Sequence, residues 1–449
     1  MRFRIKIPDN ANTIINTLQN NGHFAYVVGG CVRDSLMGRI PHDWDICTSA
    51  TPEQMLEIFK DFRVIETGLK HGTVTIVIDG EQYECTTYRI DGKYSDNRRP
   101  DNVTFTNDLV EDLKRRDFTI NAMAYNDIEG LIDPFGGTED INENTIQCVG
   151  SAKDRFGEDA LRILRAIRFA SQLDFTIELN TDWQIHQQYK SLENISVERI
   201  NSEFCKIVNS DNFCVELLLY KDVFALFIPE LKNMFDFPQK NPHHDYDVFG
   251  HTVHAVENCN SDDLTVKLAV FFHDFGKPYS YQDGEDGIRH FKGHGKVSAD
   301  MTDVIMKRLK FDNETRNNVV QLVYYHDATF EVGKKYVKRW LNKLGEKQFR
   351  RLLDVRRADI KGQKAVCSTD KKDKIEKLDA IEKLIDEVMQ ENQCFTLKDL
   401  AVNGNDLIKI GYNPNKQLGE TLNILLNGVI NDEFENKKDS LLNIAKEML

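Results

Sequence analysis

No apolar run in the chain approaches the roughly 18 residues that would span a bilayer, so no transmembrane helix is expected. The first residues, Met1 to Pro8, carry basic side chains with no apolar core behind them, which excludes a secretory signal there. Nine cysteines are scattered without any Cys-x-x-Cys pair. An odd, unpatterned set fits reduced thiols and a cytoplasmic location. Positive charge is also short. The net charge is −14, which taken alone argues against a nucleic-acid protein. Clustering weakens that objection, because Lys334, Lys335, Lys338, Arg339, Lys343, Lys347, Arg350, Arg351, Arg356 and Arg357 fall close together. They form either a solvated helix face or a surface for a phosphodiester backbone. Histidine is scarce, twelve in all, so its placement carries information.

What is present is ordinary in bulk. The chain has 449 residues, 41% hydrophobic and 29% charged, which suits a globular protein of about two to four domains. The informative stretch is Gly29 to Cys47. Phe24 to Val28 reads as a buried strand. Gly29-Gly30 then allows a sharp turn and a close approach to a ligand. Val32 to Met37 reads as a short helix whose N-terminus offers free N–H groups to an anion. Arg33 adds a forked donor for phosphate. A second strand is expected over Trp44 to Cys47, with Asp43 and Asp45 on one face. Paired carboxylates suit magnesium held jointly with substrate phosphates.

Gly-Gly-x-Val-Arg-Asp followed by Asp-x-Asp resembles the head of bacterial tRNA nucleotidyltransferases, the class II CCA-adding family of the polymerase-β-like superfamily. The resemblance implies an α+β fold: a small mixed-sheet head, an all-α neck, an HD domain and a helical tail. The expected segments are 1–140, 141–240, 241–361 and 362–449.

Around this stretch, residues 10 to 21 read as an opening helix. Thr51-Pro52-Glu53 reads as a helix start. Val74 to Ile78 and Gln82 to Tyr88 flank the turn dipeptide Asp79-Gly80 and read as a hairpin. With the two earlier strands this predicts a small sheet with helices on one side. Glu84, in the second hairpin strand, is either a third carboxylate beside the Asp pair or a plain strand-edge residue. Asp91 to Asn102 reads as a flexible loop. The resemblance makes that loop necessary for the adenosine step, and its full length disfavours an enzyme that adds only CC.

Lys114-Arg115-Arg116-Asp117 with Asn121 is similar to the family's Arg-Arg-Asp motif, which assigns Arg116 to phosphate and Asp117 to ribose. Gly157 to Ala170 reads as one helix, with Asp159 and Arg162 three apart on one face. Spacing alone makes them an ion pair. As the family's Glu-Asp-x-x-Arg motif, they instead read the base, with Arg165 and Arg168 also at the nucleotide. Cytosine and adenine both present an amino donor beside a ring-nitrogen acceptor, and uracil and guanine present the reverse order. An acceptor-only Asp and a donor-only Arg accept the first pair. Against the second they leave mismatched buried groups, a penalty on the order of 10⁴-fold.

A second cluster starts at Asn241-Pro242-His243-His244. His251, His273-Asp274, His294, His326 and Asp359 follow in an order that resembles an HD domain of the phosphohydrolase type. Imidazole with carboxylate suits nickel, manganese, iron or cobalt. Lys371 to Lys377 is a charged linker or helix start. Phe395 to Leu400 and Gly404 to Leu407 open a last helical module, expected at the tRNA elbow.

The resemblance therefore implies a cytoplasmic enzyme that adds CMP and AMP to the 3′ end of tRNA. Its partners are tRNA, CTP and ATP, with no membrane and no DNA, and its cofactor is Mg²⁺ on Asp43 and Asp45. Two alternatives stand beside it. One is an enzyme adding only the terminal A. The other is an HD metal phosphohydrolase whose head only binds RNA. A poly(A) polymerase is disfavoured because it would lack the HD region.

Overall fold

The computed structural model describes residues 4–92, 94, 102–240, 246–363 and 368–449. Most of the expected loop at Asp91 to Asn102, and Asn241 to His244, lie outside the described residues. The chain forms two compact units, Met1–Phe227 and Ile228–Leu449.

In the first unit the sheet is larger than the four strands expected. Seven strands pair in the order β3-β4-β5-β2-β1-β8-β9. They are β1 (Ala25–Val28), β2 (Ile46–Thr48), β3 (Arg63–Gly68), β4 (Thr73–Ile78), β5 (Glu81–Thr87), β8 (Ala124–Asn126) and β9 (Gly130–Ile132). Only the β2–β5 pairing is parallel; the remaining neighbours are antiparallel. The hairpin forms at Asp79-Gly80, where both residues have positive φ, 52° and 84°. That conformation matches the strand twist and favours Asp-Gly. A separate two-stranded ribbon, β6 (Arg89–Asp91) with β7 (Val103–Phe105), stands at the base of the expected loop.

Strand alternation splits the sheet's side chains between two cores. Ala25, Val27, Ile46, Val74, Ile76 and Cys85 pack with Ile14, Ile15 and Leu18 of α1 (Asp9–Asn20) and Met55 of α3 (Pro52–Ile58). Tyr26, Val28, Cys47 and Ala124 face the other way, onto Leu113 of α4 (Leu109–Lys114) and Val149. Both faces are therefore covered, which corrects the expectation of helices on one side. Between α1 and α3 lies α2 (Gly30–Leu36). The helix α3 starts as expected, with a Thr51–Gln54 capping box and Pro52 at its first turn. After β9 come α5 (Gly137–Asn142), α6 (Ala152–Glu158), α7 (Leu161–Leu173), α8 (Leu179–Gln188), α9 (Val197–Val208), α10 (Phe213–Leu219) and α11 (Lys221–Phe227).

The second unit is helical. Its helices are α12 (Val248–Glu257), α13 (Leu264–Phe272), α14 (His294–Arg308), α15 (Asn313–Tyr325), α16 (Lys334–Leu344), α17 (Glu346–Gly362) and α18 (Ser368–Gln390). Then α19 (Gly404–Lys409), α20 (Lys416–Ile430) and α21 (Lys438–Glu447) close a small core of their own around Leu407, Leu425 and Leu441. The basic cluster is mostly committed within this unit. Lys334 pairs with Glu391, Lys338 with Asp432, Arg350 with Asp386, Arg351 with Asp263, and Arg357 with Asp379 and Glu382. These cations are held within the unit, while Lys335, Arg339, Lys343 and Lys347 lie in no ion pair among the described residues. Among the described residues no helix is long and apolar enough to cross a membrane.

Candidate active site and candidate metal centre

The head site is assembled at the end of β1. Val28 N–H donates to Asp45 O at 3.0 Å and Gly29 N–H to Met123 O at 3.1 Å as the chain turns away. Gly29 makes the turn with φ 80°, and a Cβ there would sit 3.0 Å from Arg116 Nη1. A side chain at position 29 would be strained and would collide with that guanidinium. β2 begins at Ile46, not Trp44. Asp43 and Asp45 occupy the extended segment just before the strand. The parallel register puts Ile46 opposite Cys85, so Asp45 and Glu84 are neighbours on the same face of the sheet. Their proximity has an electrostatic signature. Partial burial raises the Asp45 carboxyl above the usual range, Arg116 opposes this, and the charges of Glu84 and Asp43 raise it further. Three mutually repelling carboxylates and the buried, unpartnered Arg116 Nε suit a divalent cation with its anionic ligand.

Arg33, Asn121, Asp117 and Arg165 form one chain of polar contacts. Arg33 donates to Asp34 Oδ1 at 2.9 Å and to Asn121 Oδ1 at 2.7 Å. Asn121 donates to Asp117 Oδ1 at 3.2 Å, and Arg165 Nε donates to Asp117 Oδ2 at 2.8 Å. Burial alone would raise Asp117, yet the Arg165 and Arg162 cations hold it well below the usual carboxylate range. Arg33, Arg165 and Arg168 also surround the Phe169 ring, at 5.0, 5.5 and 4.1 Å from its centroid. Arg168 pairs with Glu203 at 2.6 Å. The expected phosphate and nucleotide residues are thus brought together, but already braced by one another. Gly30 opens α2 beside them.

The expected single helix over Gly157 to Ala170 is broken. Asp159 ends α6 in an extended conformation, φ −136° and ψ 103°. Its Oδ1 accepts Leu161 N–H at 3.1 Å, a local bond of the kind that competes with helix continuation. Asp159 and Arg162 are therefore not partners on one helical face. Asp159 is held by Arg199 of α9 at 2.7 Å. Arg162 is held by Glu158 at 2.6 Å and by the Arg155 and Arg115 carbonyls at 3.1 and 2.9 Å. Arg199, Glu203 and Phe169 are site residues that sequence reasoning missed. No local spacing relates Arg199 or Glu203 to the motifs they support.

In the second unit, His251, His273, Asp274, His294, His326 and Asp359 converge on one buried point. His251 Nε2 lies 3.1 Å from Asp359 Oδ1 and 3.3 Å from His273 Nε2. His294 Nε2 lies 3.0 Å from His326 Nε2. Each imidazole turns its other nitrogen to a backbone carbonyl. His273 Nδ1 meets Val270 O at 2.6 Å, His294 meets Phe291 O at 2.7 Å, His326 meets Val323 O at 2.7 Å, and His251 meets Gly362 O at 3.4 Å. With Nδ1–H donating outward, the Nε2 lone pairs face inward, the tautomer that metal ligation requires. Two ligand groups arise, His251–His273–Asp274 and Asp274–His294–His326. Asp274 belongs to both, with Oδ2 3.0 Å from His273 and Oδ1 3.3 Å from His294. It is 1% exposed, and neither oxygen has a well-formed hydrogen bond, although Lys277 Nζ lies 2.6 Å from Oδ2. Burial alone would raise Asp274; His273 and Lys277 hold it well below the usual range. Burial pushes His326 down strongly, and the neighbouring His294 and His273 add to this. A buried carboxylate shared by two groups of imidazole nitrogens fits a transition-metal ion. A pocket of about 360 Å³ opens over Asp274, His294, His326 and Asp359, with Lys277, Lys292 and Arg356 on its walls.

A carboxylate-bearing sheet with a Gly-Gly turn, joined to a helical neck, defines a nucleotidyltransferase. The family model for the poly A polymerase head domain matches residues 25–147. A probable RNA and SrmB-binding site of polymerase A matches 174–235, and tRNA nucleotidyltransferase domain 2 matches 291–445. The CCA-adding enzyme of Lactobacillus helveticus is 34% identical over 445 residues, 97% of each chain. That of Enterococcus faecalis is 32% identical over 97% of this chain and 95% of its own. The chain belongs to the CCA-adding enzyme family. Its fold is similar to that of the Bacillus stearothermophilus CCA-adding enzyme in complex with CTP. The two share 29% identity and a TM-score of 0.73, over 99% of this chain and 98% of that one. The Thermotoga maritima CCA-adding enzyme complexed with tRNA, 20% identical with a TM-score of 0.61, shares the fold.

Proposed function

We propose that this protein adds CMP and AMP to the 3′ end of tRNA from CTP and ATP, in the cytoplasm and without a nucleic-acid template. The observation that carries this reading is the grouping of Asp43, Asp45 and Glu84 beside the Gly29-Gly30 turn, with an unsatisfied Arg116 donor. Asp43 and Asp45 would hold Mg²⁺, which when bound supplies acidification of the tRNA 3′-hydroxyl and stabilisation of the pyrophosphate. Gly30, Arg33 and Arg116 bind the triphosphate, and Asp117 and Asn121 fix the ribose. Asp159 and Arg162 present the acceptor and donor that select C and A. The division at 140, 240 and 361 into head, neck, HD segment and tail belongs to the same reading.

The deciding assay supplies tRNA that ends at the discriminator base with CTP, ATP or both. CTP alone should give CC ends, both together CCA, and ATP alone almost nothing. Extension of only CC-ended tRNA would replace this reading with A-addition.

Base choice is tested separately. Arg162→Ala should lower CTP and ATP use on the order of 10²-fold and admit UTP, because this reading assigns to Arg162 the donor that meets the ring nitrogen. Unchanged CTP and ATP kinetics with no UTP incorporation would reduce Arg162 to a brace for Glu158.

A second reading rests on the inward-facing imidazoles. The His251–Asp359 cluster is a centre for nickel, manganese, iron or cobalt that hydrolyses phosphoesters, including a 2′,3′-cyclic phosphate at a damaged tRNA end. Water adds to phosphorus, one P–O bond breaks, and the released alkoxide takes the proton. Lys277 and Arg356 would offset the charge on the phosphoryl oxygens.

A further inference from the structure

In the helical part of the first unit, a cavity of about 340 Å³ is lined by three carboxylates and by no lysine or arginine. Its size lies at the lower end of the roughly 300–1,000 Å³ usual for small-ligand sites. Its walls come from the C-terminal end of α7 with Asp174, from Asp182 and His186 of α8, and from Val215, Glu216 and Leu219 of α10. None of the residues assigned to nucleotide, magnesium or the histidine cluster lines it.

The three acids are not equivalent. Asp174 accepts from Asn212 Nδ2 at 2.9 Å, and Asp182 accepts from the Tyr220 hydroxyl at 2.6 Å. Glu216 is only 5% exposed, and its Oε2 is buried with no hydrogen-bond partner. Burying a carboxyl without a partner destabilises the fold, and a ligand that completes the bond removes that penalty. Burial, with the charge on Asp182 added, pushes the Glu216 carboxyl up to about 8. The His186 ring stacks on Tyr220 with centroids 5.6 Å apart, which supplies an aromatic wall of the kind on which a cation rests. Val215 and Leu219 add apolar surface for an alkyl stem. The groups whose ligand atoms lie close enough to hold a metal ion all fall in the second unit among the described residues. Carboxylates set further apart suit an extended organic cation better than a bare ion. The same carboxylates repel phosphate, so the cavity is no seat for RNA.

We infer that this cavity binds a small organic cation, a guanidinium or ammonium on a short alkyl stem, with its head between Glu216 and Asp182 and its stem along Val215 and Leu219. The bound head gives Glu216 the partner that the chain itself does not supply. It also favours the ionised carboxylate, so binding at neutral pH releases a proton from Glu216. The site stands apart from nucleotidyl transfer and does not depend on that reading.

The test titrates the full chain, with Mg²⁺ present to occupy the head carboxylates, and follows binding by calorimetry. The probes are n-butylguanidinium, agmatine and n-butylurea, the last a neutral analogue of the first in shape. Wild type should bind one n-butylguanidinium per chain, and n-butylurea on the order of tenfold more weakly or less. Glu216→Gln is nearly isosteric, and thermal melting reports whether it folds. It should weaken n-butylguanidinium and agmatine on the order of tenfold. Asp182→Asn should weaken both in the same direction, and Glu193→Gln, an exposed acid outside the lining, should change neither. Heats measured in two buffers of different ionisation enthalpy count the released proton. Its loss in Glu216→Gln assigns it to that carboxyl, and not to Asp174, Asp182, His186 or Tyr220, the other titratable groups of the lining. No saturable binding by folded wild type would overturn the inference. Equal affinity for n-butylurea, or unchanged affinity in Glu216→Gln, would do the same.

Discussion

Asp43→Ala and Asp45→Ala are each expected to remove CMP and AMP incorporation together, by on the order of 10³-fold or more. The expectation follows from geometry. Asp45 lies beside Glu84 across the parallel β2–β5 pairing. The same carboxylate is raised by burial and by its two acidic neighbours, against Arg116. In the proposed reaction both nucleotides meet this one cluster. Glu84→Gln should cost less than either Asp change, because it removes repulsion as well as a candidate ligand. Incorporation is read as radiolabelled CMP on tRNA ending at the discriminator base, and AMP on tRNA ending in CC. Retention of either activity above a few per cent in Asp45→Ala would mean that the two steps do not share the cluster.

The second large effect concerns the centre in the helical unit. Purified wild-type protein should carry a first-row transition metal, and His273→Ala/Asp274→Ala should carry none. Asp274 lies in both ligand groups, so its loss removes a carboxylate from each. His294→Ala leaves His251, His273 and Asp359 together and should retain metal. Metal content per chain, measured by mass spectrometry, separates these variants without reference to activity. Cyclic-phosphodiester hydrolysis with added metals should follow the metal content. CCA addition should persist in all of them, since no residue of the head is touched. A wild type that holds no metal and hydrolyses nothing under any added metal would leave the cluster as a scaffold. Loss of CCA addition in the folded double variant would contradict two separate sites.

Much of the head was legible because its signals are local. Asp79-Gly80 sets a hairpin by its own backbone preferences, and Thr51-Pro52-Glu53-Gln54 caps a helix with groups three residues apart. Gly29 is dictated by a positive φ that a strand-to-helix turn requires. The order of His251, His273-Asp274, His294, His326 and Asp359 named a cluster through resemblance, and the fold gathers the first five into two ligand groups sharing Asp274, with Asp359 3.1 Å from His251. Strands β3, β8 and β9 were missed. The last two are three residues long, and pairing with the sheet, more than their own composition, makes them strands.

The sequence by itself determined the local turns and caps, the pair of carboxylates after a Gly-Gly turn, and the kinship those motifs carry. Covalent neighbours and helical or strand period are enough for that. Only the tertiary structure decided which charges answer which. Asp117 finds Arg165 at a separation of 48 residues, Asp159 finds Arg199 at 40, and His251 finds Asp359 at 108. It also committed six of the ten residues of the basic cluster to ion pairs. Charge pairing in a folded chain depends on distance in space and on burial, and neither is encoded in the spacing of residues along the chain.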